Sequence, residues 1–373
     1  MSAGLDPDPQ MRALLQRFHF DAIPFAALRQ RLAEGESIAD FNTLRHTVQP
    51  LGSNHCHDME ALSSDLSAPL IELGDQALSR GELAVVILAG GMATRFNGAV
   101  KALVPVLQGQ SFLDLKVQSV QQQAKALNTV IPIFVMTSFA THDEVSKACV
   151  HLQSELCPIT PFAQFISLRV SPHGDLFRDA HGRLSPHAPG HGDLGPALKQ
   201  AGLLTWFEQQ GGRFLHISNV DNLGATPSPL LLGQHLQAKT RISAEVVSKM
   251  PGDQGGAPLN VNDKVQIVEA FRLPNDFDAT QIEVFNTNSF IFDLAVFAQA
   301  IELDWFAVRK EVQDHAVIQF ERLVGQLTAH TPTQYLHVSR SGDQSRFLPV
   351  KDPDELRQRL PEIRARLQAL GLQ

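Results

Sequence analysis

The strongest constraint on the fold is the stretch LAVVILAGG, residues 83–91, an apolar and β-branched run that ends in two glycines. Such a run predicts a buried strand of a parallel sheet, because a strand covered on both faces carries apolar residues at every position. Helical periodicity follows in FLDLKVQSVQQQAKAL, a second apolar run in VIPIFVMTS, and another helical pattern in HDEVSKACVHLQ. Strands alternating with helices indicate an α/β fold with a mixed, mostly parallel central sheet flanked by helices.

The segments on either side of this core suggest how the chain is organised. Residues 1–80 show helical spacing in MRALLQRFHF and FAALRQRLAEG, so we expect a helical N-terminal region followed by one α/β unit over 81–373. Within that unit, the pattern predicts a long loop over 171–190, one helix over 197–212, and strands in RFLHI, ISAEVVSKM, KVQIVEAF and SFIFDLAVF. Residues 341–373 are expected to form a short strand, FLPVK, that carries Lys351, and a closing helix.

Composition narrows the class of partner and the compartment. The net charge of the 373-residue chain is −8, which disfavours nucleic acid as a partner. We expect no membrane segment, because the apolar runs are too short to span a bilayer and the polar N-terminus does not resemble a signal peptide. Three irregularly spaced cysteines argue for a reducing compartment, so we expect a cytoplasmic protein. The sequence HCHD at 55–58 is a weak metal candidate, because no second segment offers matching ligands.

The glycine loop after the first strand suits a nucleoside triphosphate. Gly90 and Gly91 allow the main chain to approach a base or phosphate, and Arg95 and Lys101 follow with positive charge. The stretch is neither a Walker A loop nor a dinucleotide fingerprint. A glycine turn with unrelated surface cations remains the alternative.

A second motif, SNVDNLGA at 218–225, follows the strand RFLHI. Asp221 leaves the carboxyl end of that strand, where open α/β sheets bind ligands, and a carboxylate facing a triphosphate is a natural Mg²⁺ ligand. Asn219 and Asn222 offer hydrogen bonds to phosphate or sugar. The alternative is an Asx turn at a strand end.

Three further stretches carry weaker signals. APGHGD places His191 between Gly190 and Gly192, which fits either a tight turn or a ligand site. VFNTN places two asparagines at a strand start, either as hydroxyl-binding groups or as an ordinary polar turn. RFLPVK ends in Lys351, and a lone lysine after a strand is normally a solvated side chain.

Taken in order, these stretches resemble the UTP–glucose-1-phosphate uridylyltransferase family, also called UDP-glucose pyrophosphorylase. The resemblance extends over residues 85–355 through the glycine loop, IPIFVMTSFATHDEV, FAQF, PGHGD, SNVDNLGA, QGG, VEAF, FNTN and RFLPVK. It implies a Rossmann-like nucleotidyltransferase domain. Val100 departs from the family pattern, because the loop lysine usually follows proline. The eukaryotic-type family continues into a C-terminal β-helix that builds oligomers; the sequence stops soon after Lys351, so assembly through such a domain is not expected.

The resemblance also implies a role for each matching residue. Catalytic cations would be Lys101, Lys351 and Arg95. Nucleotide binding would fall to Leu88, Ala89, Gly90, Gly91, Gln164, Gly190, Asn219 and Asp221, with Asp221 also the ligand of Mg²⁺. Sugar-phosphate binding would fall to His191, Gly256, Glu269, Asn286 and Asn288. In this interpretation the glycines free the main chain for the nucleotide, and His191 faces the sugar phosphate.

The implied reaction is nucleotidyl transfer, in which the phosphate of glucose 1-phosphate attacks the α-phosphorus of UTP in line and pyrophosphate leaves. Catalysis would consist mainly of positioning and charge neutralisation, because an anion approaches an anion. One alternative is another sugar phosphate, chiefly N-acetylglucosamine 1-phosphate, or a broader UDP-sugar pyrophosphorylase, since UDP-N-acetylhexosamine pyrophosphorylases share the layout. A nucleotide-sugar-binding regulator without turnover is the alternative from another class.

Overall fold

The computed structural model describes residues 5–253 and 255–372, so the outer ends of the expected units, residues 1–4 and 373, lie outside the described residues. The helices are α1 Pro9–Arg17, α2 Ala22–Ala33, α3 Ile38–Asn42, α4 Ser64–Ser79, α5 Phe112–Leu127, α6 His142–Leu152, α7 Leu194–Gln200, α8 Leu203–Gln209, α9 Pro229–Ala238, α10 Ala295–Ala298 and α11 Pro353–Ala369.

The strands are more numerous and several are short. They are β1 Val48–Pro50, β2 His57–Asp58, β3 Leu83–Leu88, β4 Met92–Ala93, β5 Ala99–Val100, β6 Pro105–Leu107, β7 Gln110–Ser111, β8 Ile133–Thr137, β9 Ile159–Ala163, β10 Ser167–Leu168, β11 Pro186–His187, β12 Phe214–Asn219, β13 Ile242–Ser248, β14 Gly256–Val261, β15 Lys264–Glu269, β16 Val284–Asp293, β17 Phe306–Val312, β18 His315–Glu321 and β19 Thr333–His337.

An eight-stranded sheet in the order β2-β19-β13-β16-β12-β3-β8-β9 forms the centre of the molecule. Strand β16 runs antiparallel to its neighbours β12 and β13, whereas the other pairings in the sheet are parallel. The expected α/β fold with a mixed, mostly parallel sheet is therefore confirmed. Strands β1, β14 and β15 form a separate three-stranded antiparallel sheet.

Strand β3 shows why the apolar run is continuous. Its alternate residues Leu83, Val85 and Ile87 pack into the cluster that contains α5, while Ala84 and Val86 pack into the cluster that contains α7 and α8. Both faces of the strand are thus covered by helices, as the sequence predicts. Helix α5 begins at a capping box in which the Ser111 hydroxyl accepts from the N–H of Asp114 and the Asp114 carboxylate accepts from the N–H of Ser111.

Two expected elements are wrong. The single helix over 197–212 is instead α7 and α8, because Gly202 takes a left-handed conformation at φ +72° between them. The late strand FLPVK does not form among the described residues, because its Leu348 N–H donates to the Asn222 side chain at 2.8 Å rather than to a strand. The helix after Lys351 is present as α11.

The N-terminal region is mainly helical, as expected, and also supplies strands. Its β2 is an edge strand of the central sheet, and its β1 pairs with β14. The division of the chain at residue 80 stays a prediction. No helix within 5–253 and 255–372 has the length and apolar character needed to cross a membrane.

Candidate active site

The two principal sequence motifs leave the same edge of the central sheet. Strands β3 and β12 are parallel neighbours with Leu88 opposite Asn219, so the loops that follow them emerge side by side. The N–H of Lys101 donates to the Gly91 carbonyl at 3.2 Å, which holds the lysine against the glycine loop. Its ammonium group forms a close ion pair with the carboxylate of Asp221. The structure thereby joins the glycine loop to the predicted metal-binding loop.

The asparagines of the VFNTN stretch contact the same loop. The side-chain amide of Asn288 donates to the Oδ1 atom of Asn219 at 2.9 Å, and the N–H of Asn288 donates to the Oδ1 atom of Asn286 at 3.2 Å. Asn288 has a φ of +57°, a conformation that asparagine tolerates better than most residues. The nucleotide-side candidate Asn219 and two sugar-side candidates are therefore neighbours.

A glutamine and two glycines meet at the other side of the glycine loop. The buried Gln164 accepts a hydrogen bond from the N–H of Gly190 at 3.1 Å, and a Cβ atom placed on Gly90 would lie 2.2 Å from its Nε2 atom. Gln164 Nε2 makes no hydrogen bond within the part of the chain that the structure describes. A directed amide donor thus faces the glycine loop.

Residues that the sequence did not single out fix the shape of that loop. The hydroxyl of Thr141 donates to the Ala89 carbonyl at 3.1 Å, and the hydroxyl of Ser138 donates to the Gly90 carbonyl at 2.8 Å. Both donors lie in the turn before α6, within the stretch MTSFATHDEV that carried part of the resemblance. Their chemistry was readable from the sequence, but their targets were not.

His191 has a defined tautomer. Its Nδ1 atom accepts a hydrogen bond from the N–H of Val324 at 3.0 Å, so the ring proton lies on Nε2. Burial lowers the pKa of His191 to about 4, which keeps the ring neutral at pH 7. The histidine is therefore a neutral hydrogen-bond donor through Nε2.

Packing against Arg322 requires glycine on both sides of His191. A Cβ atom on Gly190 would lie 2.7 Å from the carbonyl oxygen of Arg322, and one on Gly192 would lie 2.4 Å from the carbonyl carbon of Arg322. Gly190 also has φ +98° and ψ 176°, a conformation essentially restricted to glycine. The backbone of Arg322 thus occupies the space that a side chain would need at either glycine, and the expected role of these glycines beside the nucleotide stays a prediction.

Asp193 and Arg322 hold this turn and were missed. The fully buried Asp193 forms a close ion pair with Arg322 and accepts from the N–H of Phe165 at 3.2 Å. The Arg322 guanidinium lies 4.1 Å from the centre of the Trp305 ring. The turn at His191 is thus held between the segment of Gln164 and the segment after β18.

The remaining sugar-side candidates lie on the smaller sheet. Gly256 and Glu269 are paired across β14 and β15, and a Cβ atom on Gly256 would lie 2.8 Å from Glu269 Oε1. Burial raises the pKa of Glu269 to about 7, because the charged form loses its hydration. The carboxyl group can therefore either donate or accept a hydrogen bond near neutral pH.

Two expected cations are not shown to join the site. Arg95 is exposed and makes no hydrogen bond or ion pair with the described residues. Lys351 is also exposed, and its N–H donates to Glu355 at 2.6 Å. Its ammonium group forms no hydrogen bond or ion pair within 5–253 and 255–372, although its charge helps to lower the pKa of Asp253. Both assignments stay predictions.

A buried polar network supports the loop of Asp221. The ammonium group of Lys116 donates to the Ser218 hydroxyl at 2.9 Å and, at the other end of the loop, closely to the Ala225 carbonyl. Burial lowers the pKa of Lys116 to about 7. The amide of Asn222 donates to the Arg346 carbonyl at 3.0 Å and accepts from the N–H of Leu348, so this asparagine is engaged internally rather than free for phosphate or sugar.

The donor set fits a magnesium ion shared with a bound triphosphate. Asp221 uses Oδ2 in its ion pair with Lys101, and its Oδ1 atom has no hydrogen-bond partner in the described part of the chain. Magnesium sites that are shared with substrate phosphates need only one or two protein carboxylates, because phosphate oxygens and water complete the coordination. The edge thus combines a carboxylate, a cation and directed donors, which suits an anionic nucleotide.

Comparison with known proteins shows which family the chain resembles. A family model described as UTP–glucose-1-phosphate uridylyltransferase matches residues 24–359. The chain is similar to the UTP–glucose-1-phosphate uridylyltransferase of Pyrus pyrifolia, with 30% identity over 291 residues that cover 74% of this chain and 61% of that protein. It is 28% identical over 310 residues to the protein of the same name from Solanum tuberosum, covering 78% of this chain and 64% of that protein. The chain therefore spans less than two thirds of the length of these relatives.

Solved structures show the same fold. The UDP-glucose phosphorylase of Trypanosoma brucei superposes with a TM-score of 0.74 at 21% identity, covering 92% of this chain and 77% of that chain. The uridine diphosphate N-acetylglucosamine pyrophosphorylase of the same organism also gives a TM-score of 0.74, at 19% identity, covering 96% of this chain and 80% of that chain. These likenesses confirm the nucleotidyltransferase fold.

Proposed function

This chain belongs to the UTP–glucose-1-phosphate uridylyltransferase family, and on that premise we propose that it forms UDP-glucose and pyrophosphate reversibly from UTP and glucose 1-phosphate. The observation that carries the proposal is the ion pair between Lys101 and Asp221. It links the glycine loop to the candidate metal-binding loop at the carboxyl ends of two adjacent parallel strands. A nucleotide triphosphate at this edge meets a cation and a metal-binding carboxylate together.

The proposed chemistry is in-line attack of the sugar phosphate on the α-phosphorus of UTP. The attacking oxygen is already ionised, so no residue has to act as a general base. Lys101 exchanges its contact with Asp221 for the triphosphate and offsets charge in the transition state. Asp221 would hold Mg²⁺, which supplies further neutralisation of phosphate charge when bound. Arg95 and Lys351 are proposed to add positive charge as substrates bind.

The nucleobase is proposed to lie between the glycine loop and Gln164. The Oε1 atom of Gln164 is held by the N–H of Gly190, which directs the Nε2 donor to a fixed position. The C4 carbonyl oxygen of uracil accepts from such a donor, whereas cytosine at C4 and adenine at C6 carry an amino group there instead. The proposal that UTP is the nucleotide rests on this donor.

The sugar phosphate is proposed to lie on the opposite side of the nucleotide. His191 donates to its phosphate through Nε2, the atom left protonated by the contact with Val324. Gly256, Glu269, Asn286 and Asn288 are proposed to line the hexose site.

A cytoplasmic location is proposed as well, and three buried free cysteines, Cys56, Cys149 and Cys157, support a reducing compartment.

A pyrophosphate-release assay with a matrix of substrates tests the proposal. UTP, ATP and CTP are each paired with glucose 1-phosphate and with N-acetylglucosamine 1-phosphate, and the Lys101→Ala variant measures the background. We expect release with UTP to exceed release with ATP or CTP by at least about tenfold, the ratio that corresponds to about 1.4 kcal/mol. Glucose 1-phosphate should be the better sugar. Equal rates with ATP would refute UTP as the specific nucleotide. Faster release with N-acetylglucosamine 1-phosphate would refute glucose 1-phosphate as the preferred sugar phosphate, and no release with any pair would refute catalysis.

A further inference from the structure

A groove of about 810 Å³ lies beside the C-terminal helix, apart from the site described above. Its walls are Met59 and Glu60, α5, the start of α9, residues in the range 338–346 and the end of α11. Among the described residues that line it, none belongs to the candidate active site. The size suits a small metabolite.

Two arginines with little exposed surface lie in the wall of this groove. Arg346 is 8% exposed and is neutralised by Glu245, to which it donates two hydrogen bonds of 2.6 and 2.7 Å. Arg366 is 6% exposed and forms no ion pair with the residues of 5–253 and 255–372. A buried cation without a counter-ion is costly, because it has lost its hydration without gaining an opposite charge.

The immediate partners of Arg366 are neutral. Its Nη1 atom donates to the Asp343 carbonyl at 3.0 Å, its Nη2 atom to the Gly224 carbonyl at 3.4 Å, and its Nε atom has no partner in the described chain. Burial, and next the positive charge of Arg346, lower the pKa of Arg366 to about 10, so it remains charged at neutral pH. The charges of Glu245 and Asp343 offset part of this effect from a distance. The wall of the groove therefore holds a positive charge that no direct ion pair neutralises.

The rest of the wall offers neutral hydrogen-bonding groups and one exposed carboxylate, that of Glu60. Gln122 brings a side-chain amide from α5, and Ser228 brings the N-terminal end of α9, a helix of ten residues. The N-terminus of a helix carries partial positive charge and favours anions. We propose that this groove binds a small phosphorylated metabolite, with Arg366 as the principal cation for its phosphate.

Occupancy of the groove would reach the loop of Asp221. Arg346 donates to the Thr226 carbonyl at 2.8 Å, and the Nη2 atom of Arg366 lies between Gly224 and Thr226. An anion that draws Arg366 towards itself weakens its hold on this segment, three residues beyond Asp221. The groove then acts as an effector site, a consequence that rests on the proposed function.

Thermal unfolding with added inorganic phosphate tests binding directly, because a ligand of the native state raises the melting temperature. Sodium chloride at equal ionic strength controls for salt. Arg366→Gln is compared with Arg364→Gln, which removes the same charge from an exposed position on the same helix. We expect Arg366→Gln to weaken the apparent affinity for phosphate by at least about tenfold, and Arg364→Gln to leave it unchanged.

Two further variants keep the test decisive. Lys101→Ala removes a cation of the active site and should retain the phosphate effect. Gln122→Glu places a negative charge in the groove at an exposed position, so it should reduce the effect even if Arg366→Gln does not fold. An unchanged phosphate response in Arg366→Gln, or in Gln122→Glu when Arg366→Gln is unfolded, overturns the proposal; so does a response lost in Lys101→Ala.

The coupling has its own measurement. Part of the inhibition of turnover by phosphate should persist at saturating UTP. Arg366→Gln should lose this non-competitive part of the inhibition. Identical inhibition patterns in the two proteins overturn the effector role. Since binding is measured without UTP or sugar phosphate, absence of turnover would reject the proposed function and leave the test of the groove intact.

Discussion

Substitution of Gly190 by alanine separates a structural role of this glycine from a role in binding the nucleotide. The conformation at φ +98° and ψ 176° costs a residue with a side chain about 1–3 kcal/mol. The new methyl group would also lie 2.7 Å from the carbonyl oxygen of Arg322, shorter than ordinary contact. Relieving such an overlap costs about 1–3 kcal/mol more. We therefore expect the free energy of unfolding to fall by about 2–6 kcal/mol.

Gly182→Ala is the matched control. Gly182 lies in the preceding loop at φ +75°, and a Cβ atom there would have no heavy atom within 4 Å. This change carries the left-handed strain, about 1–2 kcal/mol, without the overlap. Both substitutions remove one glycine from the unfolded chain, so they lower its conformational entropy by the same amount.

Urea unfolding followed by circular dichroism compares the two variants with the parent protein, and tryptophan fluorescence adds a local signal from Trp305, which lies against Arg322. The structure predicts that Gly190→Ala is less stable than Gly182→Ala by at least about 1 kcal/mol. If Gly190→Ala keeps the parent stability and only its KM for UTP rises, the contact with Arg322 does not explain the glycine, and the nucleotide role implied by the family resemblance is favoured instead.

The remaining predictions concern charge and hydrogen bonding. Lys101→Ala and Lys351→Ala should each raise the free-energy barrier to turnover by about 2–4 kcal/mol in steady-state assays. Only Lys101→Ala should lower the melting temperature, because it leaves Asp221 unpaired. Near-normal activity in either variant would show that the substituted lysine takes no part in the mechanism. The pKa of Glu269 is raised to about 7, so the free energy of unfolding of the wild type should fall as pH rises from about 4.5 to 7. Glu269→Gln should therefore gain about 3 kcal/mol relative to wild type over that range in pH-dependent unfolding, and a difference that does not change with pH would contradict the raised pKa. His191→Ala should raise the KM for glucose 1-phosphate more than that for UTP, and the reverse order would place the ring against the nucleotide.

The sequence predicts best what depends on local pattern and strand direction. Alternating apolar runs and helical spacing predicted the central sheet, and helix α5 coincides with the predicted segment at both ends. The contact between Lys101 and Asp221 was also foreseeable in outline, because the loops after parallel strands meet at one edge. Their separation of 120 residues does not matter once the strands are known to be neighbours.

Contacts that depend on tertiary packing could not be foreseen. Asp193 and Arg322 are 129 residues apart and meet only because the segment after β18 packs on the turn of His191. The hairpin of β17 and β18 was missed because its turn, Gln313 and Asp314, lacks glycine although both residues have positive φ. The late strand was wrong because an asparagine side chain replaced a neighbouring strand as the partner of Leu348.

The fate of each phosphorus atom of UTP tests the central claim most directly. The protein is incubated with glucose 1-phosphate and Mg²⁺, and with UTP that carries radioactive phosphorus at either the α or the γ position. Attack at the α-phosphorus predicts that the α label appears in UDP-glucose and the γ label in pyrophosphate, at equal rates that Lys101→Ala lowers together. If the γ label enters the sugar, or if UTP is bound but both labels remain in it, the protein is not a uridylyltransferase.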